Sequence, residues 1–176
     1  MKGKLLAIVI LASAAIAGGV MYYMQIYGFY YDVDAQPGQD VALLPLEAEA
    51  SEPIAYSGFQ AIDADSSPIR YRACFNTELS LDELSATYRP AEGVEPLTAP
   101  DWFDCYDALA LGEALASGTA RAYLGTKNIH FGVDRVVAVT DDGRGYVWHA
   151  LNDCGKKAYD GTVIGEACPP RGERGQ

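Results

Sequence analysis

No charged side chain occurs between Lys4 and Asp32, so Leu5 to Tyr31 is an uncharged run of 27 residues. About 20 apolar residues are enough for a helix to cross the hydrocarbon core of a bilayer. Leu5 to Val20 is built from Leu, Ile, Val, Ala and Gly with one Ser, and an aromatic cluster follows: Tyr22, Tyr23, Tyr27, Phe29, Tyr30 and Tyr31. Tyrosine concentrates at the membrane–water boundary because its ring is apolar and its hydroxyl seeks water. Lys2 and Lys4 precede the run and stay cytoplasmic by the positive-inside rule. The expectation is a transmembrane signal anchor over residues 1–31 in a bacterial inner membrane, with the remainder in the periplasm. The competing reading is a cleaved signal peptide, since Ala15-Ile16-Ala17 fits the small-x-small cleavage pattern. The length of the run favours the uncleaved anchor.

Charge divides the chain at the same place. All 24 acidic residues lie at or beyond Asp32, against eleven basic ones there, a net of −13. That balance argues against a nucleic-acid binder, which needs a basic footprint. Residues 32–58 hold Pro37, Pro45 and Pro53 with Glu47, Glu49 and Glu52 between them, and read as an acidic, Pro-containing linker. A short strand near Val41 to Leu46 is compatible with it, but the expectation is a solvated spacer that holds the domain off an anionic bilayer surface.

A compact domain is expected over 59–168, with a disordered tail at 169–176. Ile69 to Phe75 alternates with period two and predicts a strand. On that strand Ile69, Tyr71, Ala73 and Phe75 face one way, and Arg70, Arg72 and Cys74 the other. Ser80 with Glu83 forms a capping box, predicting a helix from Leu81 to about Tyr88. Asp104 or Asp107 can cap a second helix running to about Ala116, stopped by Gly118. Ala120 to Leu124 reads as extended. Arg135 to Thr140 and Gly145 to Leu151 flank Asp142-Gly143 and predict a hairpin. The sum is an α+β fold: an N-terminal transmembrane helix, then a small antiparallel sheet with two short helices.

Cys74, Cys105, Cys154 and Cys168 all follow the apolar run, at gaps of 31, 49 and 14 residues. An even count in an exported domain predicts two disulfides, with three connectivities open; Cys74–Cys105 with Cys154–Cys168 is the favoured one. There is no C-x-x-C redox motif and no paired zinc-ligand spacing.

Four features could carry chemistry. Asp63 and Asp65 form a D-x-D run able to hold a divalent cation, although Asp, Ser and Pro also simply build turns. Arg70 and Arg72 could clamp a carboxylate or phosphate, or pair internally with Asp63, Asp65, Asp104 or Asp107. His149, one of two histidines with His130, could serve acid–base work but on a strand reads first as a packed, hydrogen-bonded residue. The segment around Trp102 reads as core near a disulfide, or as an aromatic docking point. No motif calls for a cofactor or a metal, and nothing in the pattern sets an oligomeric state.

IDADSSPIRYRACF (62–75), PLTAPDWFDCYDA (96–108), FGVDRVVAVTDDGRGYVWHALNDCG (131–155) and the closing CPP (168–170) together resemble an uncharacterised alphaproteobacterial family. It is a domain-of-unknown-function family of membrane-anchored proteins, some loosely labelled histidine kinases. The resemblance extends to the apolar run and implies no functional residue. A kinase would need a phosphoacceptor His on a dimerisation helix and an ATP-binding domain, for which this chain is too short. The expected function is a non-enzymatic accessory or interaction module of an envelope complex, with an envelope protein as partner. The alternatives are a small ligand- or anion-binding periplasmic sensor and a small metal-dependent hydrolase.

Overall fold

The computed structural model describes residues 2–170. In chain order it contains helix α1 (Lys2–Tyr23), a π-helical turn (Met24–Gly28), strands β1 (Tyr31–Asp32), β2 (Ala42–Leu43), β3 (Glu52–Pro53), β4 (Ser57–Asp63) and β5 (Arg72–Asn76), helices α2 (Leu81–Thr87) and α3 (Ala108–Ser117), and strands β6 (Ala120–Leu124), β7 (Val133–Thr140) and β8 (Arg144–Leu151). Six strands form one antiparallel sheet in the order β1-β4-β5-β8-β7-β6; β2 and β3 pair separately.

α1 is exposed along its length. With the turn that follows, Gly3–Gly28 is long and apolar enough to cross a membrane.

The sheet is apolar on both faces, which explains the near-continuous hydrophobic run of β7. One face carries Tyr71, Ala73, Phe75, Val137, Val139 and Val147, covered by Leu84 of α2. The opposite face carries Ile62, Cys74, Val136, Ala138 and Trp148, covered by Leu111 of α3 with Phe103 and Tyr106. Period two sends neighbours to opposite sides, so adjacent valines of β7 serve different cores.

Local signals are realised where expected. Ser80 Oγ accepts from the Glu83 N–H at 3.3 Å and the Glu83 carboxylate accepts from the Ser80 N–H at 2.8 Å, closing the capping box. Asp107, not Asp104, caps α3, accepting from Leu109 and Ala110. Gly118 ends α3 with φ +82° and Gly143 turns the β7–β8 hairpin with φ +83°, a region open to glycine at little cost. Both favoured disulfides are present: Cys74–Cys105 joins β5 to the segment entering α3, and Cys154–Cys168 closes the C-terminal loop. They close loops of 31 and 14 residues. On the chain-entropy argument each contributes roughly 3–4 kcal/mol through the unfolded state.

The linker expectation is corrected. Residues 41–54 are part of the domain: Val41, Leu43 and Ile54 are buried in the first core, and Leu44 is buried as well. The Leu44 N–H donates to Leu124 O at 2.8 Å, and the Arg89 guanidinium donates to Pro45, Leu46 and Ala48 carbonyls. Pro and Glu suggest a spacer, but Pro45 and Pro53 sit at edges where no ladder N–H is needed. Val41, Leu43, Leu44 and Ile54 supply the burial. The 31-residue boundary is also soft, since Tyr31 and Asp32 pair with β4 and carry the chain from the apolar helix straight into the sheet. Of the expected tail, residues 171–176 lie outside the described residues.

Candidate functional site

Arg70 and Arg72 do not share a strand face. Pro68 and the preceding residues turn the chain: the Ser67 N–H donates to Ala64 O and the Arg70 N–H to Ser67 O, so β5 begins only at Arg72. The Asp63-to-Ser67 run is this turn, with the Asp63 carboxylate accepting from the Ala64 N–H at 2.7 Å. Asp65 faces outward and accepts from the Tyr31 hydroxyl at 3.1 Å.

Arg72 is only 4% exposed, and its guanidinium is directed at backbone. Nε donates to Leu97 O at 2.8 Å, Nη1 to Ile69 O and Tyr71 O at 2.8 and 2.7 Å, and Nη2 to Thr98 O at 3.0 Å. Its planar fork of donors satisfies carbonyls of a loop that would otherwise be orphaned. Burial pulls its pKa below the usual arginine value, with the nearby Tyr106, Tyr30 and Asp63 acting against that. The expected pairing of Arg72 with a carboxylate is therefore corrected. Carbonyls take the donors, and an anion clamp has few left to use.

His149 is 1% exposed. Nδ1 lies 2.7 Å from Pro68 O, which can only accept, so Nδ1 carries the proton. Nε2 then accepts from Arg135 Nε at 3.1 Å. The ring stacks on Tyr71 with centroids 4.8 Å apart, and the Arg135 guanidinium lies 4.4 Å from the same Tyr71 ring centroid. Burial holds His149 neutral, lowering its pKa to about 4; the Pro68 bond opposes this and the charges of Arg135, His130 and Arg72 add to it. Asp63 feels His130 and Arg135, yet burial dominates and raises its carboxyl pKa. Asp63 and His149 each feel the charges of His130 and Arg135, and Asp65 adds to the rise at Asp63, but no hydrogen bond joins either aspartate to His149 among the described residues. Among the described residues no group of three His, Cys, Asp or Glu side chains is placed to hold a metal ion.

The junction between α1 and the domain is the most developed polar–aromatic site. The π-helical turn leaves carbonyls without helical partners, as any helix end does. Arg70 Nη1 donates to Gln25 O at 3.2 Å and Nη2 to Gln25 Oε1 at 2.7 Å. Trp102 Nε1 donates to Ile26 O at 2.8 Å. Trp102 also stacks on Tyr27 at 6.4 Å and meets Tyr30 edge-on at 5.9 Å, and Arg70 lies over the Tyr30 ring at 5.4 Å. Two side chains of the folded domain thus cap the C-terminal end of the apolar helix, where positive charge and donors are favoured. A cleft of about 510 Å³ lies beside them, between the turn and the loop at 97–100.

Gln25 and Arg135 were missed from the sequence. Gln25 is the only amide side chain in the uncharged run, which is a usable signal. Arg135 sits at the start of an apolar strand, where a charge suggests a buried partner, but nothing linear points to Tyr71 or His149.

No curated protein and no solved structure matches the chain. A match does exist to a family of unknown function, DUF6446, over residues 41–169. It begins inside the segment expected to be a spacer, at the first residue of the buried Val41–Leu44 stretch. The chain belongs to this family.

Proposed function

We propose that this member of the DUF6446 family is a non-enzymatic interaction module mounted on the bacterial inner membrane. In this reading α1 spans the bilayer with its N-terminus in the cytoplasm, and the domain works in the periplasm. Two disulfides fit an oxidising compartment. The observation that carries the reading is the capped junction: Arg70 and Trp102 bind the last turn of the anchor directly. A domain on a slack tether searches a volume. A domain seated on its anchor presents one face at a fixed height, which suits assembly with neighbouring envelope proteins.

The side chains best suited to chemistry support this reading over the others. Arg72 is directed at four carbonyls and His149 at Pro68 and Arg135. An anion sensor built on Arg70 and Arg72 would have to release Arg70 from Gln25, and a metal-dependent hydrolase would have to bring Asp63, Asp65 and His149 together.

Alkaline phosphatase fused to the C-terminus should be active and a fluorescent-protein fusion dark; the reverse would remove the periplasmic placement. In-membrane crosslinking followed by gentle solubilisation should retain the protein in a complex larger than itself. Recovery as a lone monomer under those conditions would remove the module reading.

A further inference from the structure

The free edge of the sheet at β6 is only partly covered. The Gly125 N–H donates to Arg135 O and Thr119 O accepts from the Asp141 N–H, so odd-numbered residues of this strand face β7. Even-numbered residues face outward. There, the Leu124 N–H donates to Arg89 O and Ala122 O accepts from the Ala91 N–H. After Ala91 the covering segment peels away and the ladder stops. The outward N–H of Ala122, which is partly exposed, has no hydrogen-bond partner among the described residues; the N–H and C=O of Ala120 have none either, but that residue is only 2% exposed, so an incoming strand pairs first at Ala122.

A groove of about 550 Å³ opens at that point. It straddles the sheet edge, with Ser85 of α2 and the following Tyr88 on one side, Gly112, Leu115 and Ala116 of α3 on the other, and the loop at 93–96, with Glu95, along its rim. The α3 side is apolar, with the small Gly112 and Ala116 beside Leu115. The α2 side carries Arg121, whose Nη1 bonds Leu81 O, Asp82 and Ser85 while Nε and Nη2 have no bond among the described residues. Gly112 adds an independent observation. It lies in the interior of α3, where glycine weakens a helix relative to alanine. A Cβ there would meet nothing within 4 Å, so the isolated fold does not require glycine. Its absence of side chain keeps the groove clear.

We propose that this slot receives an extended segment of a partner protein, which adds to β6 as a further strand. The inference rests on the interaction-module reading and names the class of partner. Unpaired ladder groups at a sheet edge select a strand, because main-chain hydrogen bonds supply affinity and alternate side chains supply specificity. Side chains on one parity enter the apolar wall of Gly112, Leu115 and Ala116 and are small and apolar, such as valine. Those on the other parity meet Arg121 and carry an acceptor, such as glutamate.

The probe is an acetylated, amidated five-residue peptide of alternating glutamate and valine, added to the full-length protein in detergent micelles. At saturation it slows hydrogen exchange of the Ala122 amide at least tenfold. Gly112→Leu folds with an unchanged or higher Tm and weakens the peptide at least tenfold, as does Ala122→Pro. An unchanged Ala122 amide, or equal binding by wild type and Gly112→Leu, overturns the slot. A photo-crosslinker placed in membranes at position 116, with Leu109 on the exposed side of α3 as reference, separates the two proposals. Protein adducts from 109 but not 116 leave the module reading standing without the slot. Adducts from neither position count against both.

Discussion

Arg70 and Arg72 are two residues apart and differ in almost everything else. Arg72 is buried and holds four carbonyls from two stretches of its own domain, 69–71 and 97–98. Arg70 is partly exposed and reaches across to Gln25, beyond the folded domain. One arginine closes the core, and the other joins the core to the apolar helix. Identical chemistry thus serves stability in one region and mounting in the other, decided by where the β4–β5 turn releases the chain. Charge-assisted hydrogen bonds are worth more when buried, because removing the donor leaves desolvated carbonyls unpaired.

That contrast can be broken, starting from the largest effect. Arg72→Ala should cost about 4 kcal/mol or more, since several carbonyls lose their donors together. Thermal unfolding should move down by more than about 10 °C. A shift within about 2 °C would mean the buried fork is dispensable.

Replacing Cys74 and Cys105 together by serine should cost roughly 3–4 kcal/mol, because the bridge joins β5 to the segment entering α3. The Cys154–Cys168 bridge closes a shorter, peripheral loop in which Tyr159, Val163 and Ile164 are exposed, so its entropic contribution bears less on the core. The corresponding double variant opens that loop. It should raise protease sensitivity of that loop while moving global unfolding less. Equal shifts in denaturant midpoint would contradict this ranking.

The pH dependence follows from His149. Its folded pKa of about 4 lies below the unfolded value of 6.5. Between these values the unfolded chain binds the extra proton, so its contribution is complete above about pH 6.5 and lost as pH falls toward 4. The loss amounts to about 3 kcal/mol, levelling off below. Asp63 works in the opposite direction, since its raised carboxyl pKa lets the folded state take a proton earlier. Denaturant titrations from pH 7 to 4 should show the decline, and His149→Asn should flatten it.

The smallest thermodynamic effect belongs to the junction. Arg70→Gln with Trp102→Phe should change domain stability by less than about 1 kcal/mol, as surface interactions do. A spin label on the domain should nevertheless become more mobile relative to the anchor in bilayers. Unchanged mobility would show that the cap does not hold the domain in place.

The boundary between what was readable and what was not runs through particular residues. The capping box at Ser80, the hairpin around Gly143 and the stop at Gly118 were legible because each is set within a few residues by backbone sterics and local hydrogen bonds. The disulfide pairing was also anticipated, helped by there being only three connectivities. The Val41–Ile54 segment was misread, because its burial depends on Leu124, Arg89 and the sheet, all distant along the chain. Arg72 and His149 were singled out for their chemistry, but their partners are carbonyls, which leave no trace in side-chain identity.

The sequence by itself therefore determined the apolar N-terminal helix, the positions of the short helices and the main hairpin, and the cysteine framework. Each follows from composition or from spacing of a few residues. Only the tertiary structure decided that both faces of the sheet are buried, that the acidic segment joins the core, and that Arg70 and Trp102 cap the apolar helix. These contacts join residues far apart in the chain, such as Trp102 to Ile26 at 76 residues and Leu44 to Leu124. Non-local contacts of this kind are selected by burial and carbonyl satisfaction across the whole fold, and no local pattern encodes them.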